Sequence, residues 1–523
     1  MAGRTGPKPE HKPRTPAPDA PERPANLAHG RWLGDFLRLS PAERALVACC
    51  ARGEAWTPKD WDGARPEAKR AANAIRAGLI RFLALGGDAA HPVHEIGVML
   101  RGGWIKDELD LHQCRLPVRV DLRFCKLVFA PVFIAASLPE LRLSGCHMPA
   151  LFADGLLVAG SLFMDKSFSA TGEVRLRHAE IGSNVVCRGS SFAKPEGAAL
   201  SADGAVVKGS VFFDKGFAAS GVVRLAGAQI GGDLVCSDGS FLNRGGKALV
   251  ADGAVIMGAF FLRKMKPEGA MSLPGVQVGT LADDRECWIG GGHVLDGLSY
   301  DRIIGPTDAK SRIAWLRTQH SVHLGADFTP QPWEQLVKVL REMGHPHEAR
   351  RIAIEKQRAM RQAGIYGLPP AQKHFDRSLG VGHNLRALGE RLGLALRHPA
   401  RLLDELRHHL FGLLSGYGHR PWNILAWVMA LWFGFAALFW GFGVGCSELI
   451  GCTANHARSA LYSLDALLPV DFGMVKGSLP VVEIGVPKST NDPVRVLSAI
   501  ETLFGWIFGI LVLAIVGNLV RKD

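Results

Sequence analysis

Large apolar residues in the middle of the chain recur every five positions. One run is Val158, Phe163 and Phe168, and another is Leu176, Ile181 and Val186. Their copies are Val207, Phe212 and Phe217, then Leu225, Ile230 and Val235. A helix would space such residues by three and four, and a lone strand by two. A five-residue step suits a chain that turns a corner after each short strand, with Gly and Ala between the large residues letting the backbone bend. The copies lie 49 residues apart. Leu151-Phe152-Ala153-Asp154-Gly155 reappears as Leu200-Ser201-Ala202-Asp203-Gly204 and again as Leu249-Val250-Ala251-Asp252-Gly253. Residues 151–199 and 200–248 agree at 25 of 49 positions without a gap. Two coils of roughly 23 and 26 residues fill each unit, which predicts a stacked β-solenoid.

Other patterns flank this region. Residues 1–28 hold seven prolines and few large apolar residues, so they form an expected disordered tail. Residues 29–104 read as a small helical region. There Ser40-Pro41-Ala42-Glu43 is a capping box, and a helix is predicted from Pro66 to Leu85 with Ile75, Leu79, Phe82 and Leu83 on one face. The solenoid is assigned to 105–290. Its early coils include Leu111, Leu116, Leu122 and Leu127, with Cys114, Cys125 and Cys146 as small inward residues. Residues 291–364 read as a helical cap for the open solenoid edge. Within them 307–319 is predicted helical, and Pro332–Met343 and Pro346–Gln362 form an αα-hairpin across Gly344 with Trp333, Leu336, Leu340, Ile352 and Ala353 inside.

Residues 365–420 read as a linker and juxtamembrane helices broken near Pro399. Leu385, Leu388, Leu392 and Leu396 share one face; Leu402, Leu403, Leu406 and Leu410 share the next, and arginines and histidines take the other faces. Such helices lie at an anionic bilayer surface or pack on a cytosolic domain. Residues 421–523 form the membrane domain. Asn423 to Gly443 is an uncharged apolar run, and Ala499 to Val520 is a second with only Glu501 charged. Each reaches across a hydrocarbon core of about 30 Å.

Charge sets the orientation. Seven arginines lie between Arg377 and Arg420, and Arg521-Lys522 follows the second run. The positive-inside rule then puts both termini in the cytoplasm of an inner (plasma) membrane protein, with the 444–498 loop outside. No apolar core follows the first positive charges, so no signal peptide is expected. Cys446 and Cys452 would face an oxidising compartment as a candidate disulfide pair. The eight other cysteines form no CxxC pair or zinc-ligand spacing. The net charge of +12 suits a lipid bilayer. No nucleic-acid partner is expected, because no basic stripe carries interleaved aromatics.

Residues 105–290 resemble the pentapeptide-repeat proteins. That resemblance implies a right-handed parallel β-solenoid, and the expected fold class is therefore mainly β: this solenoid with N-terminal helices, a C-terminal helical cap and two transmembrane helices. Between the apolar runs, the segment Ser459 to Gly473 is similar to the re-entrant pore helix and filter of two-span potassium channels. The second run, with Glu501, Gly505 and the terminal basic pair, is similar to that family's inner helix. The pore-like loop is then Leu464, Asp465, Leu468, Pro469, Val470, Asp471, Phe472 and Gly473. The family's Thr-Val-Gly-Tyr-Gly filter is replaced, and Pro469 with a single glycine does not suit a stack of carbonyls. Asp471 could form an acidic ring in a homo-oligomer, a tetramer by resemblance. An outer helix on the membrane surface, with Asp465 and Asp471 solvated, fits the same pattern.

Catalytic motifs do not emerge. There is no dinucleotide fingerprint, nucleophile elbow or zinc-protease spacing, and Gly245-Gly246-Lys247-Ala248 reads as a turn rather than a phosphate loop. No enzyme activity, cofactor or metal is expected. The leading expectation is a channel-like pore domain with a cytosolic solenoid that senses or docks a protein partner. A non-conducting membrane-anchored scaffold is the alternative, and a membrane-associated oxidoreductase a third without residue support.

Overall fold

The computed structural model describes residues 30–366, 393–442, 456–468 and 493–520. The expected tail at 1–28, the first juxtamembrane helix up to residue 392, Cys446 and Cys452, Pro469 to Gly473 and the basic pair at 521–522 lie outside the described residues. The chain forms two compact units. One reaches to Thr307 and includes Ala314–His320; the other comprises Asp308–Ile313 and Ser321 onward.

The first unit opens with helix α1 (Pro41–Arg52). Its capping box is formed: Ser40 Oγ accepts from the Glu43 N–H at 3.1 Å, and the Glu43 carboxylate accepts from the Ser40 N–H at 2.9 Å. The same carboxylate takes Nε and Nη2 of Arg76, both at 2.7 Å, in a buried bidentate pair. The helix expected from Pro66 is shorter. Helix α2 covers only Ala77–Ala84, and Ala74–Ile75 is a strand paired in parallel with Trp104–Ile105. Asn73 supplies the reason, since its side chain accepts from the Arg70 N–H at 2.7 Å and donates to the Ala68 carbonyl at 3.1 Å. A local side-chain turn of this kind competes with helix.

A parallel β-solenoid of about nine turns follows. Its ladders extend on both sides of 105–290, from Ala74 to Ile304. One inward column runs through Val98, Val120, Leu141, Leu162, Val185, Val211, Leu234, Phe260, Leu281 and Ile303, all buried. Inside, Phe168, Phe192, Phe217 and Phe241 stack with centroids 5.5, 5.4 and 5.2 Å apart. A gap of about 20 Å³ between coils is lined by apolar side chains such as Ile181 and Phe213, so it has no room for a ligand.

Coil length alternates. Leu151 pairs with Val174, 23 residues on; Val174 pairs with Leu200, 26 on; Leu200 then pairs with Val223, 23 on. The longer coils push out bulges at 194–197 and 243–246. Gly221, on the shorter coil beside the first bulge, has φ +118°, and a Cβ there would lie 2.2 Å from the Lys194 carbonyl oxygen. Gly245 and Gly246 end the second bulge, and Lys247 rejoins the ladder opposite Ala270 with its Nζ donating to Ser272 Oγ at 3.0 Å.

The five-residue step needs one correction. Val158, Phe168, Leu176 and Ile181 point inward, but Phe163, Val186, Phe212 and Val235 are partly exposed. In the strands Leu162–Phe163 and Val211–Phe212 the first residue fills the core, and alternation turns the second outward. Arg142 lies 3.7 Å above the Phe163 ring and Arg188 4.1 Å above Phe212, so the outward aromatics are covered by guanidinium groups. Cys125, Cys146, Cys187 and Cys236 are buried as small inward residues, and burial raises the Cys146 thiol. Cys114 is only partly buried, beside Arg81 Nη2 at 3.8 Å.

Past the last full coil, Gln319 bridges to His293, and Trp315 packs 5.2 Å from Trp288. His293 is buried; its Nδ1 accepts from the Met271 N–H at 3.0 Å, which leaves Nε2–H to donate to the Trp288 carbonyl at 3.1 Å.

In the sequence, α3 (Ala309–Leu316) and α4 (Ser321–Leu324) come next. The second unit contains the helical hairpin of α5 (Gln331–Glu342) and α6 (Pro346–Gln362), turning at Gly344 with φ +84°. Trp333, Leu336, Leu340, Ile352 and Ala353 are buried in it. Further along the same unit lie α7 (Pro399–Ser415), α8 (Pro421–Gly441), α9 (His456–Leu467) and α10 (Pro493–Val520).

Candidate functional site

Among the described residues, two helices are long and apolar enough to cross a membrane: the Trp422–Gly441 part of α8 and the Val496–Leu513 part of α10. Between them in sequence sits α9, twelve residues long and too short to span. It packs against both longer helices. Its sequence alternates an apolar face with small polar residues, and the polar ones point inward: Ser459 and Ser463, one turn apart, are buried.

Contacts pin α9 from two sides. On the α8 side, Trp432 Nε1 donates to the Ala460 carbonyl at 2.8 Å, and Phe439 meets Tyr462 edge-on at 4.9 Å. Phe435, Phe439, Tyr462 and Val494 close this end as one apolar cluster. On the α10 side, Ser463 Oγ donates to the Glu501 carboxylate, and the same hydroxyl lies 3.2 Å from the Trp432 carbonyl. It carries one proton, so it serves one acceptor at a time. Glu501 is fully buried, and its second carboxyl oxygen has no hydrogen-bond partner among the described residues. One turn further, the Leu467 carbonyl abuts Gly505.

An apolar groove of about 610 Å³ opens beside this junction, lined by Ile424, Val428, Leu467, Leu468, Gly505 and Phe508 among others. Ile424 and Phe508 also form a buried cluster against Leu414 of α7, Val428 and Leu431.

The residues singled out in the sequence are therefore divided. Glu501 and Gly505 meet the short helix directly; Leu464 and Asp465 lie partly buried on it, and Leu468 lines the groove just past its end. Pro469, Val470, Asp471, Phe472 and Gly473 lie outside the described residues, so an acidic ring at Asp471 has no geometry here. Sequence reading passed over Trp432 and Ser463. A signal existed for the serine, because Ser459 and Ser463 repeat at helical spacing in a segment otherwise rich in Ala and Leu. For Trp432, an apolar run gives no sign of which indole finds a carbonyl.

Among the described residues no three His, Cys, Asp or Glu side chains gather in a way that would hold a metal ion. No protein-family model, curated protein or solved structure matches the chain.

Proposed function

We propose that the chain is a subunit of a homo-oligomeric, channel-like membrane protein whose solenoid senses or docks a cytosolic partner. One observation carries the reading: a helix too short to span is gripped between two membrane-length helices through a buried Ser463–Glu501 hydrogen bond and a glycine contact at Gly505. A short helix held between two membrane-length helices by buried polar groups is the arrangement that a re-entrant pore segment needs. The resemblance of 459–473 and 500–522 to two-span channels, and of the solenoid to pentapeptide repeats, supports the same reading. Loop charge supports cytoplasmic termini and an external 444–498 loop.

Two spans do not enclose a pore, so the reading requires several copies, four by resemblance. Pro469 and the single Gly473 in the sequence argue against a potassium-type filter, and a ring of Asp471 carboxylates, one from each copy, would attract cations. Reconstitution of the full chain into planar bilayers tests this. Discrete cation currents that fall when Asp471 is changed to Asn are expected. Silent bilayers containing correctly inserted oligomers would leave a membrane-anchored scaffold instead.

A further inference from the structure

Among the described residues, nothing packs against one face of helix α7. Leu403, Leu406, Leu410 and Leu413, spaced three, four and three, form a single stripe and are 68%, 51%, 52% and 60% exposed. The opposite face is engaged. His408 stacks on Tyr366 at 4.5 Å and on Tyr417 at 4.7 Å, Arg361 Nη1 donates to the Tyr417 hydroxyl at 2.9 Å, and Ser415 is buried. The stripe therefore points away from the α6 side of the unit.

What covers it follows from the tether. Only residues 416–420 separate α7 from α8, and they are fixed: the Gly418 N–H donates to Ser415 Oγ at 3.1 Å and the Arg420 N–H to the Ser415 carbonyl at 2.9 Å. Leu414 packs against Ile424 and Phe508, so the end of α7 is held beside the first turn of a membrane-length helix. A helix anchored there is at the bilayer surface. Arg407, whose Nη2 also donates to Asp404 Oδ1 at 2.9 Å, flanks the leucine stripe and is exposed, and residues 377–420 carry seven arginines against three acids. An excess of arginine around an apolar stripe matches an anionic headgroup layer over acyl chains.

We propose that α7 lies in the interface of an anionic bilayer, with Leu403, Leu406, Leu410 and Leu413 in the acyl boundary. This rests on the reading that α8 crosses the membrane. The position makes α7 a layer between lipid and the Tyr366–His408–Tyr417 stack, so lipid charge bears directly on the join between α6 and the first span.

The test places photoreactive benzoylphenylalanine in the full-length protein at Leu406, Leu410, Glu405 or Phe433, one position at a time. Each protein is reconstituted in phosphatidylcholine vesicles with or without phosphatidylglycerol. Phe433, 58% exposed in the middle of α8, reports insertion itself. Expected are lipid adducts at 433, 406 and 410, background at 405, and a severalfold drop at 406 and 410 when phosphatidylglycerol is omitted. Lipid adducts at 433 with only protein adducts at 406 and 410 would overturn the proposal while leaving the span in place. Adducts at 406 and 410 indifferent to phosphatidylglycerol would overturn its anionic part. A lack of lipid adducts at all four positions would overturn it together with the membrane reading.

Discussion

The carbonyl oxygen of Leu467 lies 1.8 Å from where a Cβ on Gly505 would stand. No side chain fits that gap without moving backbone, so the end of α9 and the middle of α10 approach as closely as they do only because residue 505 is glycine.

Gly505→Ala should therefore push α9 away from α10. Overpacking of this kind costs about 1–3 kcal/mol, and here the opposing atom is backbone, which favours the upper end. Detergent-denaturation midpoints of the purified protein should fall, and Gly505→Ala should lower them more than Gly509→Ala on the same helix. Equal midpoints for wild type and Gly505→Ala would refute the packing.

At the neighbouring turn, Ser463→Ala removes a hydroxyl but keeps the helix. Hydrogen bonds between membrane helices average about 0.6 kcal/mol, so a small loss is expected from this change alone. Glu501→Ala should cost more, because it also opens a cavity among α8, α9 and α10. The double variant should lose less than the sum of the two single losses. Additive losses would mean that Ser463 and Glu501 do not interact.

In the first unit, the Glu43–Arg76 pair ties α1 to the strand entering the solenoid. Removing one partner leaves a buried charge, so Glu43→Ala should destabilise by about 3–5 kcal/mol. Burial raises the Glu43 carboxyl, but the hydrogen bonds and charge of Arg76 and the Ser40 N–H outweigh it and hold it below the usual glutamate value of 4.5. A carboxyl lowered on folding adds stability that is full above the unfolded value and is lost as pH falls below it. Thermal midpoints of the wild type should drop below pH 4.5 more steeply than those of Glu43→Gln.

His293 adds a second acid-sensitive point at the far end of the solenoid. Burial lowers its pKa below the ordinary 6.5, partly offset by the Trp288 carbonyl. Neutral imidazole is the form the fold holds, since Nδ1 must accept from Met271. Its contribution is complete above pH 6.5 and is lost as the pH drops below that value. After correction for intrinsic rates, amide exchange at Met271 and its coil neighbours should speed up between pH 7 and pH 5. Exchange protection unchanged across that range would contradict the assignment of the bond.

The fold was legible where the sequence repeats itself. The alternation of 23 and 26 residues and the capping box at Ser40 follow from spacing that the backbone obeys directly. Errors arose where two patterns compete. A periodic apolar stretch near Ile75 looks helical, but the Asn73 turn and the edge pairing with Trp104 win. Phe163 and Phe212 look like core because composition alone does not show that an arginine on the neighbouring coil will cover them. At the candidate site, Glu501 stood out as a charge in an apolar run, whereas Ser463 and Trp432 gain meaning only once α9 is placed between α8 and α10.

Native mass spectrometry of the full-length protein released from membranes bears most directly on the proposed pore. A closed homo-oligomer, a tetramer by resemblance, that persists in mild detergent is expected. A protein that remains a monomer at all concentrations, or one recovered wholly in the membrane-free fraction, would contradict it.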